Sequence, residues 1–537
     1  MDYLPPDNVS PKNQILLVSV VLSIMFFVML YGAVQMGMAY DENFHIPTAA
    51  ALIALGEKRM VLEHPPFGHW LAGLSLYFIR PEVDLQYYTS SGANLWEFAR
   101  RFFYNPANNY RLILLVARIP FIICSVVTAL YVFLITRSLF GFKSGFTSLL
   151  LCAFCGSIIG WGRYVYLDLP MAFCIISTIG HAYWYCRNNS NLHFVLSAIF
   201  LALTCCAKYS GLIMTLPIYS LLFWNLLFNQ NKFLVSKLVL RVVTFTLIFL
   251  FIIWACFGFS ISTDFYTKGI SGLYNGVDPS YRFYLMGDFK SSGWWYYFLV
   301  NLFIKLPLVA ILLVFTSILI WISDTKKSFI SKTWSLNYVF FSVLLFSAII
   351  LLVGMSLKAL PLGSRYLLPC LPILYVFCGI AAAKIYSYKN KLASYFLVGL
   401  MLLHIYRVAK IFPDEMAYFN EFIGSPTDGI FWVNDASIDA GQNLPRLSAY
   451  LRERGNPKVR MLYQGQDNPD NYGIKREVVS QSDWDGPPSP GLYAISANWL
   501  VYGQLESQEK PSKHNNWLTS YTPIKTIGGS IWIYEFK

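Results

Sequence analysis

Apolar stretches of around twenty residues recur from residue 14 to residue 411, and this repetition constrains the fold more than any motif in the chain. A helix needs about 20 predominantly apolar residues to cross a bilayer, and it satisfies its own backbone hydrogen bonds on the way. Eleven such spans are expected: 14–38, 112–136, 144–161, 166–186, 192–207, 210–228, 239–260, 298–322, 335–357, 366–383 and 392–411. A porin-like barrel would alternate apolar and polar residues over segments of about ten, and that alternation is absent. Charged residues make up 13% of the chain, against about 25% in soluble domains. The expected fold class is a polytopic α-helical membrane protein. The stretch 64–79 is apolar but short and begins near Pro65-Pro66, so it reads as a helix lying at the interface or re-entering the membrane.

The net charge of +12 belongs to topology and not to nucleic acid. With a cytoplasmic N-terminus, the inside loops carry Arg137, Lys143, Arg187, Lys232, Lys237, Arg241, Lys326, Lys327, Lys332, Lys384, Lys389 and Lys391, with Asp324 as their one acid. The outside loops hold Asp41, Glu42, Glu63, Asp168, Asp264, Asp278 and Asp288 among mixed charges. That is the positive-inside pattern. It directs 39–111, 261–293 and the tail from 412 to the exterior or lumen. No Asn-x-Ser/Thr acceptor falls on that face, which favours a bacterial inner membrane over an endoplasmic-reticulum membrane.

The first apolar run carries no small-residue cleavage site and reads as a retained helix. All ten cysteines lie between Cys124 and Cys378, within the apolar region, so no disulfide framework is implied. Two domains are expected: a transmembrane catalytic domain over 1–411, and a small α/β domain over 412–537 on the exterior face. In the latter, "NLPRLSAYLRERG" (443–455) has helical spacing and ends on Gly455. "KVRMLYQ", "GLYAISANWL" and "SIWIYEF" read as strands. No internal repeat marks a transporter built from duplicated halves.

Ionisable residues at the ends of membrane spans are costly and therefore functional candidates. One face collects Asp41, Glu42, His64, Arg163, Asp168, Lys208, Lys305, Lys358 and Arg365. Carboxylates serve as general bases or as ligands of a divalent metal, and Asp41, Glu42 and His64 are the candidates for such a metal. Cations facing a membrane suit an anionic headgroup, phosphate above all. The mixture points to a reaction on a phosphate-bearing lipid, in which a base activates a nucleophile and cations stabilise departing phosphate. Simpler readings stand beside these. Asp41 and Glu42 also suit a helix N-terminus, Arg163 and Asp168 a salt bridge or cap, and Lys305 a snorkelling anchor.

The ordered set of Asp41-Glu42, "HPP" (64–66), "GRYVYLDLP" (162–170), "AKYSG" (207–211), "GWWYYF" (293–298) with "KLPL" (305–308), and "GSRYLLPCLP" (363–372) resembles the GT-C membrane glycosyltransferases. Within them it is similar to the protein O-mannosyltransferase and aminoarabinose transferase-like group, glycosyltransferase family 39 and relatives. The tail stretch "NDASIDAGQNLPRLSAYL" (434–451) resembles a motif of bacterial members, with Ala440 where a Trp and Asn443 where a second Asp is expected. His64 stands where aminoarabinose transferases carry Lys, and no β-trefoil insertion is present. The resemblance implies a polyprenyl-phosphate sugar donor, an inverting transfer on the exterior face, and a lipid, glycan or protein acceptor. It assigns Asp41 as the catalytic carboxylate with Glu42 as its partner. His64, Arg163, Asp168, Lys208, Lys305, Lys358, Arg365 and Tyr366 are the expected substrate-binding residues. The alternative of another class is a transporter or flippase for lipid-linked sugars, and a third reading is a non-catalytic scaffold.

Overall fold

The computed structural model describes residues 9–56, 58, 60–228, 235–260, 267, 269, 281–331, 335–358, 360–388, 390–509, 511 and 517–537. Most of the expected loop 261–293, with Asp264 and Asp278, lies outside the described residues, as do Lys232, Lys332 and Lys389.

The eleven apolar stretches are all helical, but they are not eleven equivalent spans. Among the described residues, seven helices are long and apolar enough to cross a membrane: Pro11–Gln35, Tyr110–Phe140, Tyr209–Phe228, Val235–Cys256, Leu308–Thr325, Leu336–Leu357 and Lys391–Ile411. An eighth is formed if Phe142–Ala153 and Gly156–Gly162 count as one span bent by 53°. The helices Asn191–Ala207 and Leu371–Ser387 are apolar but only 17 residues long. Asp168–Asn188 carries Asp168, His181 and Arg187, which dilute its apolar run. The expectation of eleven spans counted hydrophobic runs, whereas these helices sit inside the bundle, where length and uniform apolarity are not demanded. Nearly all of Asp168–Asn188 and Leu371–Ser387 is buried by other helices.

Helix ends follow local chemistry. Ser10, Asn94, Asn109 and Asn390 each accept a backbone N–H from the first turn they precede. Glu42–Leu55 closes on Gly56, whose φ of +73° suits a residue without Cβ. The stretch expected at the interface is a ten-residue helix, Phe67–Leu76, too short to span a bilayer.

A short hairpin, β1 (Phe283–Leu285) with β2 (Asp288–Lys290), precedes the later helices. Beyond Ile411 the chain builds the helix Leu444–Glu453 and a five-stranded mixed sheet of β3 (Val459–Leu462), β4 (Arg476–Val478), β5 (Gly491–Ser496), β6 (Lys525–Ile527) and β7 (Ile531–Phe536). Strand order is β4-β3-β5-β7-β6. The strands β3, β4 and β5 run parallel, and β7 is antiparallel to β5 and β6. The expected strand over "GLYAISANWL" stops at Ser496, and Ala497 begins the helix Ala497–Glu509.

The tail is fastened to the bundle by close backbone approach. The turn Glu415–Ala417 lies against Gly156–Gly162, and a Cβ on Gly160 would meet Met416 N at 2.4 Å. Arg163 crosses the same seam to Glu415, at 2.8 Å. These contacts set the tail over the end of the bundle that carries Asp41.

Candidate active site

The turn after the first span delivers Asp41 as the residue preceding the helix Glu42–Leu55, and its side chain makes no capping bond there. The carboxylate instead pairs with Arg365, on the short 3-10 turn Ser364–Leu367. Asp41 keeps 24% of its side-chain surface open and Arg365 keeps 13%. The Arg365 guanidinium lies 4.8 Å from the Tyr166 ring and 5.3 Å from the Tyr366 ring. The Asp41 backbone N–H donates to the Tyr166 hydroxyl at 3.2 Å. Lys208 completes the group, 2.6 Å from Asp168 Oδ1 and 4.5 Å from the centre of the Tyr366 ring. Asp41, Asp168, Lys208, Arg365 and Tyr366 are thus brought together from four segments. Burial alone would push the Asp41 carboxyl up, but Arg365, His45 and Lys208 outweigh it and hold the group below its ordinary value. Asp41 is ionised at neutral pH.

Three histidines lie on the other side of Asp41. His45 is one helical turn along, and its Nδ1 is 3.1 Å from His69 Nε2. The His64 ring centre is 5.4 Å from that of His45. Burial pushes His45 down to about 4, against the pull of Asp41. His64 and His69 are driven well below the usual imidazole range by burial first and then by neighbouring charges, including Lys58. Each is neutral at pH 7 and offers one donor and one acceptor. Lys58 donates to the carbonyls of Val61, at 2.8 Å, and His64, and burial lowers its pKa to about 7 against the opposing charge of Glu63. A cavity of about 200 Å³ opens here, lined by Lys58, His64, Trp70, Tyr209 and Cys256.

Other expected site residues go elsewhere. Glu42 is fully buried. Its Oε2 is 2.6 Å and its Oε1 2.8 Å from the Arg118 guanidinium, and it also accepts the backbone N–H groups of Ala39 and Val165. Arg163 is sealed against Glu415 and the Pro413 carbonyl, away from the Asp41 cluster. Lys305 donates to the carbonyls of Ser437, at 2.7 Å, and Met416, at 3.4 Å, and lies over the Phe419 ring. It satisfies itself on the tail, without an acidic partner among the described residues. Lys358 ends the helix Leu336–Lys358, and its side chain lies outside the described residues. The expected metal trio is not assembled: among the described residues no group of three or more His, Cys, Asp or Glu side chains could hold a metal ion. Glu42 is turned to Arg118 and Asp41 to Arg365.

Sequence reasoning passed over Arg118, Tyr166 and His45 as site residues, and it read 434–451 as a motif without a place in the fold. Arg118 is a lone cation inside "LILLVARIPFIIC", the kind of intramembrane charge that marks a partner elsewhere. His45 stands four residues after Asp41, the spacing of one helical turn. The tail motif gave no sign of what it docks on, because its contacts are long-range and made largely by backbone. Gly37 N–H donates to Gln442 O at 2.9 Å, and Tyr40 N–H to Ala440 O at 2.8 Å. Ser364 N–H donates to Ser437 Oγ at 3.1 Å. A Cβ on Gly363, at φ +103°, would meet Ala436 at 2.7 Å. One strap therefore holds the segments that carry both members of the Asp41–Arg365 pair.

Residues 113–254 match the family model described as dolichyl-phosphate-mannose-protein mannosyltransferase. That segment contains Arg118, Arg163, Asp168 and Lys208, and its match bears out the GT-C resemblance carried by the ordered motifs. Solved structures with a similar chain path include ArnT from Cupriavidus metallidurans bound to undecaprenyl phosphate, at 12% identity and TM-score 0.46, covering 98% of each chain. AglB from Archaeoglobus fulgidus, in complex with an inhibitory peptide and a dolichol-phosphate, is 11% identical at TM-score 0.44, over 90% of this chain and 70% of its own. The Saccharomyces cerevisiae Pmt1-Pmt2 complex bound to the sugar donor is 18% identical at TM-score 0.36, over 49% of this chain and 34% of its own. No curated protein matches the chain in sequence.

Proposed function

We propose that this protein is an inverting glycosyltransferase that moves a sugar from a polyprenyl-phosphate donor to an acceptor hydroxyl, on the exterior face of a bacterial inner membrane. The observation that carries the reading is the Asp41–Arg365 pair: an ionised, partly open carboxylate whose one side-chain partner among the described residues is a cation suited to phosphate. Charge-assisted, bidentate bonding makes arginine the natural ligand of a phosphate oxygen. Donor phosphate draws Arg365 from Asp41 and engages Lys208 beside it. Asp41 then loses the largest of the interactions that lower its pKa while its burial persists, so its basicity rises as substrate binds.

Asp41 accepts the acceptor hydroxyl's proton as that oxygen forms its bond to the sugar C1. The bond between C1 and the phosphate oxygen breaks on the opposite face, its electrons leave with the lipid phosphate, and Arg365 and Lys208 stabilise that charge. Phosphate needs no general acid to depart. The cavity at Lys58 and His64, beside the ends of apolar helices, suits the approach of the lipid-linked group. Glu42 acts through position, fixing the turn on which Asp41 sits.

Reconstitution with a labelled polyprenyl-phosphate sugar tests the reading. Covalent labelling of an acceptor, or release of free polyprenyl phosphate, is expected. Movement of intact donor across the bilayer without cleavage would replace the enzyme with a transporter. Mass spectrometry of lipid co-purified with the protein identifies the donor sugar directly.

A further inference from the structure

The cluster around Asp41 accounts for a donor, but it leaves a larger cleft unused. A space of about 590 Å³ opens between the helix Leu95–Phe103 of the first loop and the tail sheet. Trp96 and Tyr104 line the loop side, Tyr463 and Trp499 the tail side, and Asn43 and Arg476 supply polar groups. The cleft adjoins the turn that carries Asp41. Asn43 lies two residues beyond Asp41, and Asp467, also on the lining, accepts Met38 N–H at 3.2 Å and the hydroxyls of Tyr110 and Tyr472 at 2.6 Å each.

The lining has two characters. Trp96 is 53% exposed, held edge-on by Phe44 at 4.7 Å, and presents an unburied ring that the fold itself does not require. Trp499 adds a second indole to the lining from the tail side. Arg476 is 40% exposed and pairs with the solvent-facing Asp470 at 3.6 Å. Aromatic faces with a few polar side chains beside them suit a pyranose, since its C–H groups pack on rings and its hydroxyls exchange hydrogen bonds with polar groups. A lipid chain has no use for the polar groups. A peptide could pair with the edge strand β4, but three residues make a short ladder.

We propose that this cleft binds the acceptor, and that the acceptor is a saccharide whose terminal hydroxyl is presented to Asp41. The inference rests on the transferase reading, and it names the substrate class at the second half of the same site. The two walls come from parts of the chain more than 350 residues apart, so the tail is half of the acceptor site as well as a strap.

The test uses the full-length protein in detergent, labelled and applied to an immobilised panel of neutral, amino and acidic hexose oligosaccharides, with Ser/Thr-rich peptides alongside. Wild type is expected to be retained by at least one class of oligosaccharide. Trp96→Ala and Arg476→Ala, both at exposed positions, should each weaken retention about tenfold while leaving thermal unfolding unchanged. Trp499→Phe, which keeps an aromatic ring beside Trp484 and Tyr502, should weaken retention from the tail side, and Asp41→Asn should be retained like wild type. Absence of retention, equal retention by the cleft variants, or preference for peptides overturns the proposal. Turnover separates the two readings. Donor cleavage that needs Asp41, without any saccharide retention, sinks the cleft and leaves the transferase. Saccharide retention that follows the cleft residues, with cleavage intact in Asp41→Asn, leaves the cleft and sinks Asp41 as the base.

Discussion

Asp41 and Glu42 are adjacent carboxylates on one turn, and the fold sends them into opposite surroundings. Glu42 points into the bundle, where Arg118 and the N–H groups of Ala39 and Val165 fill both oxygens. Arg118 spends its remaining donors on the carbonyls of Ala33, Met36 and Gly37, so the pair clamps the whole turn. Among the described residues Asp41 has one side-chain partner, Arg365, and open surface beside it. A buried charge with every hydrogen-bonding position taken has nothing left to offer a substrate, whereas a charge with one exchangeable partner does. Residue type and chain position do not separate the two; spare hydrogen-bonding capacity does.

The sharpest break comes from exchanging each carboxylate for its amide. Asp41→Asn should cut sugar transfer by about 10²–10⁴-fold, the range of a general base, with the unfolding midpoint close to wild type. Transfer that survives in this variant would end the comparison. Glu42→Gln should do the reverse. It leaves the Arg118 charge buried and uncompensated, which costs about 3–5 kcal/mol of stability, and the loss should show first in the unfolding midpoint and in the yield of folded protein. Glu42→Gln combined with Arg118→Met should recover part of that stability, because no unpaired charge remains. A Glu42→Gln protein that folds normally and fails only in catalysis would make the two carboxylates partners in chemistry.

This division was only half legible in the sequence. The helical membrane architecture followed from hydrophobic run length, and the Asp41, Asp168, Lys208, Arg365 and Tyr366 cluster followed from ordered motifs. Arg163 and Lys305 were grouped with that cluster because they stand at the same ends of their helices. A linear sequence shows the end of a helix but not the direction of its side chain. Both turn to the tail, to Glu415 and to the Ser437 carbonyl. The eleven apolar stretches are not all long, uniformly apolar helices for a related reason, since a helix shielded by other helices needs no lipid-facing surface. The strap 436–442 stood out as part of a motif, but its docking partners could not be read because the contacts to Gly37 and Tyr40 are made through backbone groups that every residue carries.

Acid separates the two sides of the turn with a smaller effect. His45 belongs to the Asp41 side, where His64, His69, Lys58, Lys208 and Arg365 also face it, and its folded pKa is about 4 against an ordinary value of 6.5. The fold therefore favours the neutral imidazole. That contribution is fully present above pH 6.5 and is lost as pH falls toward 4, when the unfolded chain takes up the proton first. The shift corresponds to about 3 kcal/mol across that window. Urea unfolding between pH 7.5 and pH 4.5 should be less steeply pH-dependent in His45→Asn than in wild type. An unchanged slope would place the acid sensitivity elsewhere.

The smallest effect concerns the strap that spans both sides. Ser437 Oγ accepts the Ser364 N–H at 3.1 Å and donates to Asn301 Oδ1 at 3.2 Å. Ser437→Ala removes both bonds and leaves a buried N–H without a partner, at about 1–3 kcal/mol. Ser364 immediately precedes Arg365, so the slack falls on the Asp41–Arg365 side and not on the Glu42 clamp. The expected signature is a rise in KM for the lipid-linked donor with kcat little changed, because Arg365 would be less well placed for phosphate while Asp41 remains. Ser437→Thr, which keeps the hydroxyl, should restore KM. A variant that lowers kcat and KM together, or that lowers only stability, would mean that the strap carries the tail without aligning the pair.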